Sequence, residues 1–258
     1  MKTSTKIEND LIPIFTKSDL ESRSAEVTQQ LLSLNGGMLL VDKIYGVTSF
    51  VVVYSLRKQL SSLSDGAWIK VGHAGTLDPL ATGLVIVGSR RATRSLTSFL
   101  GAEKEYEVEL RLGITTPSFD LERPITVTHD LSGITTGEVE DCVLTFIGKQ
   151  SQTPPIFSAI KQNGKPVYKK AHKGKKVEMG PKEVEIYSIS GITVNFPYVR
   201  FTVACSKGTY IRSLVNDIGQ KLGTGATLIN LRRTKIGNFS VTDAIEQSQI
   251  SSLAAQIA

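Results

Sequence analysis

The chain has 258 residues, enough for one large domain or a domain with an appendage, and its 40% hydrophobic content supports a real core. Its 30 Lys and Arg against 24 Asp and Glu leave a net charge of +6, while no apolar run is long enough to span a bilayer and the N-terminus has no apolar signal core, which argues for a cytoplasmic protein. Two distant cysteines, Cys142 and Cys205, and three scattered histidines, His73, His129 and His172, form neither a disulfide framework nor a CxxC or HExxH pattern, so no metal and no cofactor is expected.

In chain order, residues 1–35 read as a polar appendage with one helix near Ser18–Leu34, stopped by Asn35-Gly36-Gly37. MLLVD (38–42) is a buried strand, and Thr48 or Ser49 caps a helix carrying Val52, Leu56 and Leu60. Then comes GHAGTLDPLATG (72–83), in which one carboxylate, Asp78, sits among small, apolar and turn-forming residues. Asp followed by Pro is an ordinary cap of a short turn, so the residue alone carries no chemistry. Gly83–Gly88 reads as a second buried strand and 90–100 as a basic helix. In EKEYEVELRLG (103–113), Tyr106, Val108, Leu110 and Leu112 share one face and the charged residues the other. That alternation is a half-buried antiparallel strand.

A helix is expected over Gly137–Ile147, followed by QTPPIFSAIKQNGKPVYKKAHKGKKV (152–177), where lysines and prolines mix with Phe157, Tyr168 and His172. A loop of that length and composition reads either as a tethered surface loop or as a flap that grips RNA. Strands near 183–189 and 198–206 precede SKGTYIRSLVNDIGQKLG (206–223), a helix opening at Thr209 with Ile211, Leu214, Val215, Ile218 and Leu222 on its apolar face. Arg212 lies in its first turn, where a cation opposes the helix dipole, so an anionic partner is expected. The last strand is ATLINLRRTKIG (226–237). Together these elements indicate an α+β fold around a mixed or antiparallel sheet.

Charge is unevenly spread. Residues 101–146 carry ten acids against three bases, whereas 161–182 carry eight lysines and one acid. Arg90, Arg91 and Arg94 form a second basic group, and Arg232, Arg233 and Lys235 a third. Three basic groups favour a polyanionic partner.

GHAGTLDPLATG resembles the active-site motif of the TruB family, the bacterial tRNA pseudouridine-55 synthases. The resemblance continues in order through GGMLLVDK (36–43), KEYEVELRLG (104–113), QTPPIFSAIKQNGKPVYKKAHKG (152–174), CSKGTYIRSLVNDIG (205–219) and LRRTKIG (231–237). It implies a pseudouridine synthase-like fold with an RNA-binding thumb inserted at about 150–180, a catalytic domain over 36–258, and an N-terminal extension over 1–35 of unknown role. It implies Asp78 as the catalytic aspartate, Tyr106 as the active-site tyrosine and Arg212 as the aspartate's partner. His73 matches a histidine that seats the RNA loop, Leu231 a leucine beside the target base and Lys43 a lysine near the site, while Tyr210 borders the same pocket. Lys169 and Lys173 belong to the thumb. Two departures stand out: DKIYG (42–46) replaces the family's usual DKPxG, putting Ile44 where a proline is common, and the chain ends without room for the small PUA domain many members carry.

The implied reaction breaks the N1–C1′ bond of a uridine, turns the base and rejoins it through C5. It needs one ionised carboxylate to attack or stabilise C1′, either directly or through a glycal-like path. The base must leave its stack, which costs least in an RNA loop. The expected substrate is the T-arm stem-loop of tRNA, handled without a membrane, by a monomer with no obligate protein partner. A non-catalytic tRNA chaperone on the same fold is the alternative, and it has no use for a buried anion beside phosphates. A glycosidase is disfavoured because no second acid accompanies Asp78.

Overall fold

The computed structural model describes residues 4–5, 12–158, 161–162, 165–166 and 180–253. The chain divides into two compact units: Met1–Lys104 with Arg232–Ala258, and Glu105–Leu231.

In the first unit β1 (Ser4–Thr5) pairs antiparallel with β2 (Ile12–Phe15), and β2 runs parallel to β3 (Met38–Lys43). Helix α1 (Lys17–Leu32) connects them, opened by a capping box in which Thr16 and Asp19 satisfy each other's backbone N–H. Its Val27 and Leu31 are fully buried, so residues 12–35 add a strand and a helix to this unit. Strand β3 is covered on both faces: Leu39 and Val41 pack with Val27, Val52 and Leu56, while Met38 and Leu40 pack with Leu84, Ile86 and Phe99. Burial on both faces is why its sequence is a continuous apolar run.

Helix α2 (Ser49–Ser62) presents Val52, Leu56 and Leu60 to the core as expected. Strands β4 (Val71–Ala74) and β5 (Ala81–Ser89) pair antiparallel, and β5 also pairs antiparallel with β3 from Met38↔Gly88 to Lys43↔Gly83. Residues 90–100 are not one helix. Arg90–Ser95 form a 3₁₀ turn, followed by the short α3 (Leu96–Leu100). The Thr93 and Ser98 hydroxyls each donate to the carbonyl three residues back, at 2.7 Å, and such bonds compete with the α-helical ladder.

The second unit begins at Glu105, one residue into β6 (Lys104–Leu112), whose alternation places Tyr106, Val108, Leu110 and Leu112 inward. It continues with β7 (Ile114–Thr115), β8 (Val127–Thr128), α4 (Thr136–Leu144), β9 (Gly148–Gln152), β10 (Lys161–Gln162) and β11 (Lys165–Pro166). β12 (Lys182–Asn195), β13 (Tyr198–Cys205), α5 (Ile211–Leu222) and β14 (Ala226–Ile236) follow. The sheet order is β14–β6–β13–β12–β9, with β12 antiparallel to both β13 and β9. β12 runs six residues past its expected end at Ile189, because register shifts near Ile186 and Ser190 dilute its apolar pattern. Helix α5 starts at Ile211 and stops at Gly223, which adopts the left-handed conformation (φ 72°).

The last residues of β14, from Arg232, lie in the first unit. There β15 (Phe239–Ser240) pairs antiparallel with β14 and β16 (Ile245–Glu246) runs parallel to β3. The architecture is α+β with mixed strand directions. Among the described residues no helix is long and apolar enough to cross a membrane.

Candidate active site

Residues 75–80 link β4 to β5 and carry Asp78. Asp78 does not open a helix. Its carbonyl accepts the Ala81 N–H at 3.1 Å, closing a four-residue turn with Pro79 in second place. The preceding residue is pinned to α2: Leu77 N–H donates to Ser49 Oγ at 2.8 Å, and Ser49 Oγ donates to the Leu77 carbonyl at 3.2 Å.

Two buried cations hold this turn. Lys43, at the end of β3, is fully buried and its Nζ donates to the carbonyls of Ile44 (3.0 Å), Val47 (2.7 Å) and Pro79 (3.3 Å). It thereby fastens the DKIYG turn to the residue after Asp78. Burial pulls the Lys43 ammonium down to about 8; the negative charge of Asp78 works against that fall and the positive charge of Arg233 adds to it. Arg233, on β14, is 1% exposed and donates from Nε to the Leu84 carbonyl at 2.8 Å and from Nη2 to the Gly75 carbonyl at 2.9 Å. It therefore bridges the start of the Asp78 segment to β5. Two glycines lie against it. A Cβ on Gly83 (φ 105°) would collide with the Arg233 backbone, while one on Gly75 would meet Nη1 at an ordinary 3.4 Å, so there it is the positive φ of 78° that favours glycine.

His73, on β4, has its pKa lowered by burial and secondly by Arg233. Its Nδ1 is buried and has no hydrogen-bond partner. The first unit thus gathers Asp78, Lys43 and His73, and adds Arg233. The basic group Arg232–Arg233–Lys235 is not the cationic surface the sequence suggests. Strand alternation sends Arg233 into the core, and Arg232 is engaged by Asp42 through two bonds of 3.0 and 2.7 Å.

The second unit carries the other expected residues. Tyr106 points inward on β6 and Leu231 is buried on β14. Arg212, 3% exposed in the first turn of α5, donates from Nη1 to the Ser118 carbonyl at 3.2 Å and from Nη2 to the Phe157 carbonyl at 3.0 Å. Its Nε lies 3.6 Å from Oδ2 of the equally buried Asp120. Asp120 is fixed in turn: Thr116 Oγ1 donates to its carbonyl at 2.6 Å, and its Oδ1 accepts the Glu122 N–H at 3.0 Å. Gln152 holds both backbone groups of Tyr210, accepting its N–H at 2.8 Å and donating to its carbonyl at 3.1 Å. Ser213 Oγ donates to the Thr153 carbonyl at 2.8 Å. The first residues of the lysine-rich flap are therefore stitched to the arginine helix. Lys169 and Lys173 lie outside the described residues.

Sequence reasoning missed Arg233 and Asp120. Arg233 carried a signal in the strand period, which separates it from Arg232. Asp120 carried less, being one acid in the acid-rich span 101–146, and only the demand of a buried helix arginine for an anion points to it.

The whole chain has solved counterparts. It is similar over 98% of its length to a chain in an H/ACA RNP bound to a substrate RNA containing 2′-deoxyuridine, at 25% identity and TM-score 0.63, covering 61% of that chain. It is equally similar, at 26% identity and TM-score 0.63, to a chain in a Cbf5-Nop10-Gar1 complex, 63% of which it covers. The fold is that of the pseudouridine synthases. Residues 61–211 match the family model described as TruB family pseudouridylate synthase (N-terminal domain), and residues 212–257 match the tRNA pseudouridylate synthase B C-terminal domain. Curated relatives called tRNA pseudouridine synthase B include that of Parabacteroides distasonis, 45% identical over 83% of this chain and 92% of its own length. That of Phocaeicola vulgatus is 45% identical over 81% and 89%, and that of Geotalea uraniireducens 44% identical over 81% and 66%. The chain belongs to the TruB family of pseudouridylate synthases.

Proposed function

We propose that this chain isomerises uridine to pseudouridine in tRNA, at position 55 of the T-loop, with Asp78 acting on C1′ of a flipped nucleotide. One observation carries the assignment of Asp78: its turn is built around two buried cations, Lys43 and Arg233, in a segment of small residues. Positive charge favours an ionised carboxylate, and small neighbours leave space for a base. The carboxylate takes the sugar carbon as the N1–C1′ bond breaks. The base turns and its C5 displaces the carboxylate from C1′, which frees Asp78; C5 then loses its proton and N1 gains one, so the balance is an isomerisation with no cofactor.

Tyr106 stacks on the base and removes the C5 proton. Leu231 and Tyr210 wall the base, and His73, with its unpartnered Nδ1, seats the RNA loop. Arg212 contributes positive charge for the aspartate, and its tie to Asp120 and to the Phe157 carbonyl links that charge to the start of the thumb. Lys169 and Lys173 hold the phosphates of the T-arm. The enzyme acts in the cytoplasm as a monomer without an obligate protein partner.

The test is Asp78→Asn, which is nearly isosteric and cannot act as the anion. Release of tritium from 5-labelled uridine in tRNA should fall more than a thousandfold, with tRNA binding kept. Activity within tenfold of wild type would refute the role of Asp78. Wild-type protein that remodels tRNA but forms no pseudouridine would establish the chaperone instead.

A further inference from the structure

The first unit contains a second cationic feature that the isomerisation does not use. Lys70, Arg90, Arg91 and Arg94 line an open pocket of about 190 Å³, with Leu34 as its apolar wall. Three local causes bring them together. Lys70 immediately precedes β4 and Arg90 immediately follows β5, and the two meet because the Arg90 N–H donates to the Lys70 carbonyl at 2.7 Å. Arg90–Ser95 is a 3₁₀ turn, in which side chains three apart eclipse, so Arg91 and Arg94 stand on one line. The Ala92 N–H donates to the Asn35 carbonyl at 2.9 Å, which draws the segment after α1, with Leu34, against the turn.

Nothing among the described residues neutralises this cluster. None of the four cations forms an ion pair among the described residues, and no acid lines the pocket. The Arg90 Nε is buried with no hydrogen-bond partner. Arg90 also holds φ at 51°, a conformation unfavourable for a residue with a Cβ. Converging like charges, a strained backbone and an unused buried donor are all costs, and an anion seated in the pocket would offset them.

We propose that this pocket binds a phosphate of the RNA backbone, away from the nucleotide that reacts. The inference rests on the reading of the chain as an RNA-modifying enzyme. Its position specifies which part of the RNA is held. Asp78 lies at one end of β5 and Arg90 at the other, and a strand of nine residues spans about 30 Å. That is many times the spacing of successive phosphates along a strand. The phosphate therefore belongs to a stem that continues beyond the loop carrying the target.

The test compares wild type with K70Q/R91Q/R94Q, which spares Arg90 and changes only exposed side chains. Affinity for an unmodified tRNA transcript is measured from about 50 to 300 mM KCl. Each phosphate no longer neutralised lowers the log–log salt slope by about 0.7 to 0.9, so the triple variant, which loses the one phosphate of this pocket, should lose about that much. R91K/R94K should keep the wild-type slope, because the charge remains. A triple variant with wild-type affinity and slope overturns the proposal. Against loss of fold in the variant, a second measurement uses an otherwise native chain with a photo-crosslinking residue at the exposed Leu34. It should crosslink to the tRNA stem, and crosslinks confined to the T-loop, or none, overturn the proposal. Pseudouridine formation by wild type is scored separately. If it fails while the salt slope still depends on the pocket, the functional reading falls and the phosphate site stands.

Discussion

Replacing Arg233 with Met separates positioning from surface charge. The thioether side chain fills much of the same volume, so the main losses are the charge and two bonds, to the Leu84 carbonyl at 2.8 Å and the Gly75 carbonyl at 2.9 Å. Hydrogen bonds from a charged donor are worth about 1.5–3 kcal/mol each, and removing a buried charge returns part of its desolvation cost. The net loss should be about 2–4 kcal/mol, or about 4–16 °C in Tm at 2–4 °C per kcal/mol for a chain of this size. Activity should fall further than stability explains. Without the bridge from Gly75 to β5 the Asp78 turn loosens, and a displacement of about 1 Å at a reacting group can cost on the order of 10²-fold in rate. Lys43 and His73 lose a neighbouring positive charge, so both pKa values should rise from their lowered positions. Arg233→Lys keeps the charge without the planar fork and should fall between. The assays are thermal melting and single-turnover tritium release well below the melting range. A Tm within 2 °C of wild type together with unchanged turnover would show that Arg233 holds nothing.

Two further outcomes follow from the buried charges. Lys43 is held near 8 in the folded chain against an ordinary 10.5, so between those values the unfolded chain binds a proton that the native chain does not. The Lys43 contribution therefore makes stability rise with pH across that window, and Lys43→Met should remove that rise. Activity should move the opposite way, with kcat/KM falling above pH 8 as the ammonium loses the charge that anchors the turn, and with that limb shifted upward in Lys43→Arg; an unmoved limb would exclude Lys43. In the second unit, Asp120→Asn should remove the charge from the Arg212–Asp120 contact and destabilise by about 3 kcal/mol. A double-mutant cycle with Arg212→Met should give a coupling above about 1 kcal/mol, and a value under 0.5 would mean the 3.6 Å approach is incidental.

Much of the fold was legible because periodicity survives local detail. The alternation around Tyr106 reads correctly because a core on one side imposes it, and α5 reads correctly from its apolar positions although Arg212, Ser213 and Asn216 are buried too. Boundaries failed where side chains compete with the backbone. The Thr93 hydroxyl, bonded to the Arg90 carbonyl, competes with the helical ladder where a plausible helix becomes a 3₁₀ segment, and bulges conceal the second half of β12. Within the candidate site, Asp78 was legible from its motif, whereas its support was not. The sequence shows that Arg212 needs an anion, and the resemblance names Asp78 for it; that Asp120 also lies against it, 3.6 Å away, was not legible, because Asp120 is reached through a turn that has no periodic signature.

The glycines of GHAGTLDPLATG show why support is harder to read than chemistry. Asp78 announces itself by being the one acid in its segment. Gly75 and Gly83 look like loop punctuation, yet both adopt positive φ and both lie against Arg233, which is some 150 residues later in the chain. A cation that far away is chosen by strand register, and register becomes visible only when the sheet has formed. The same register sends Arg232 to Asp42 and Arg233 to the Asp78 turn. Two adjacent arginines thus acquire unrelated tasks, one closing an ion pair with Asp42 and the other bridging the start of the Asp78 segment to β5. A one-residue slip of β14 would exchange them, putting the Thr234 side chain where the guanidinium now bridges Gly75 and Leu84 or leaving Arg232 to face that segment. The geometry of the Asp78 turn is consequently a property of sheet register as much as of the motif that carries the aspartate.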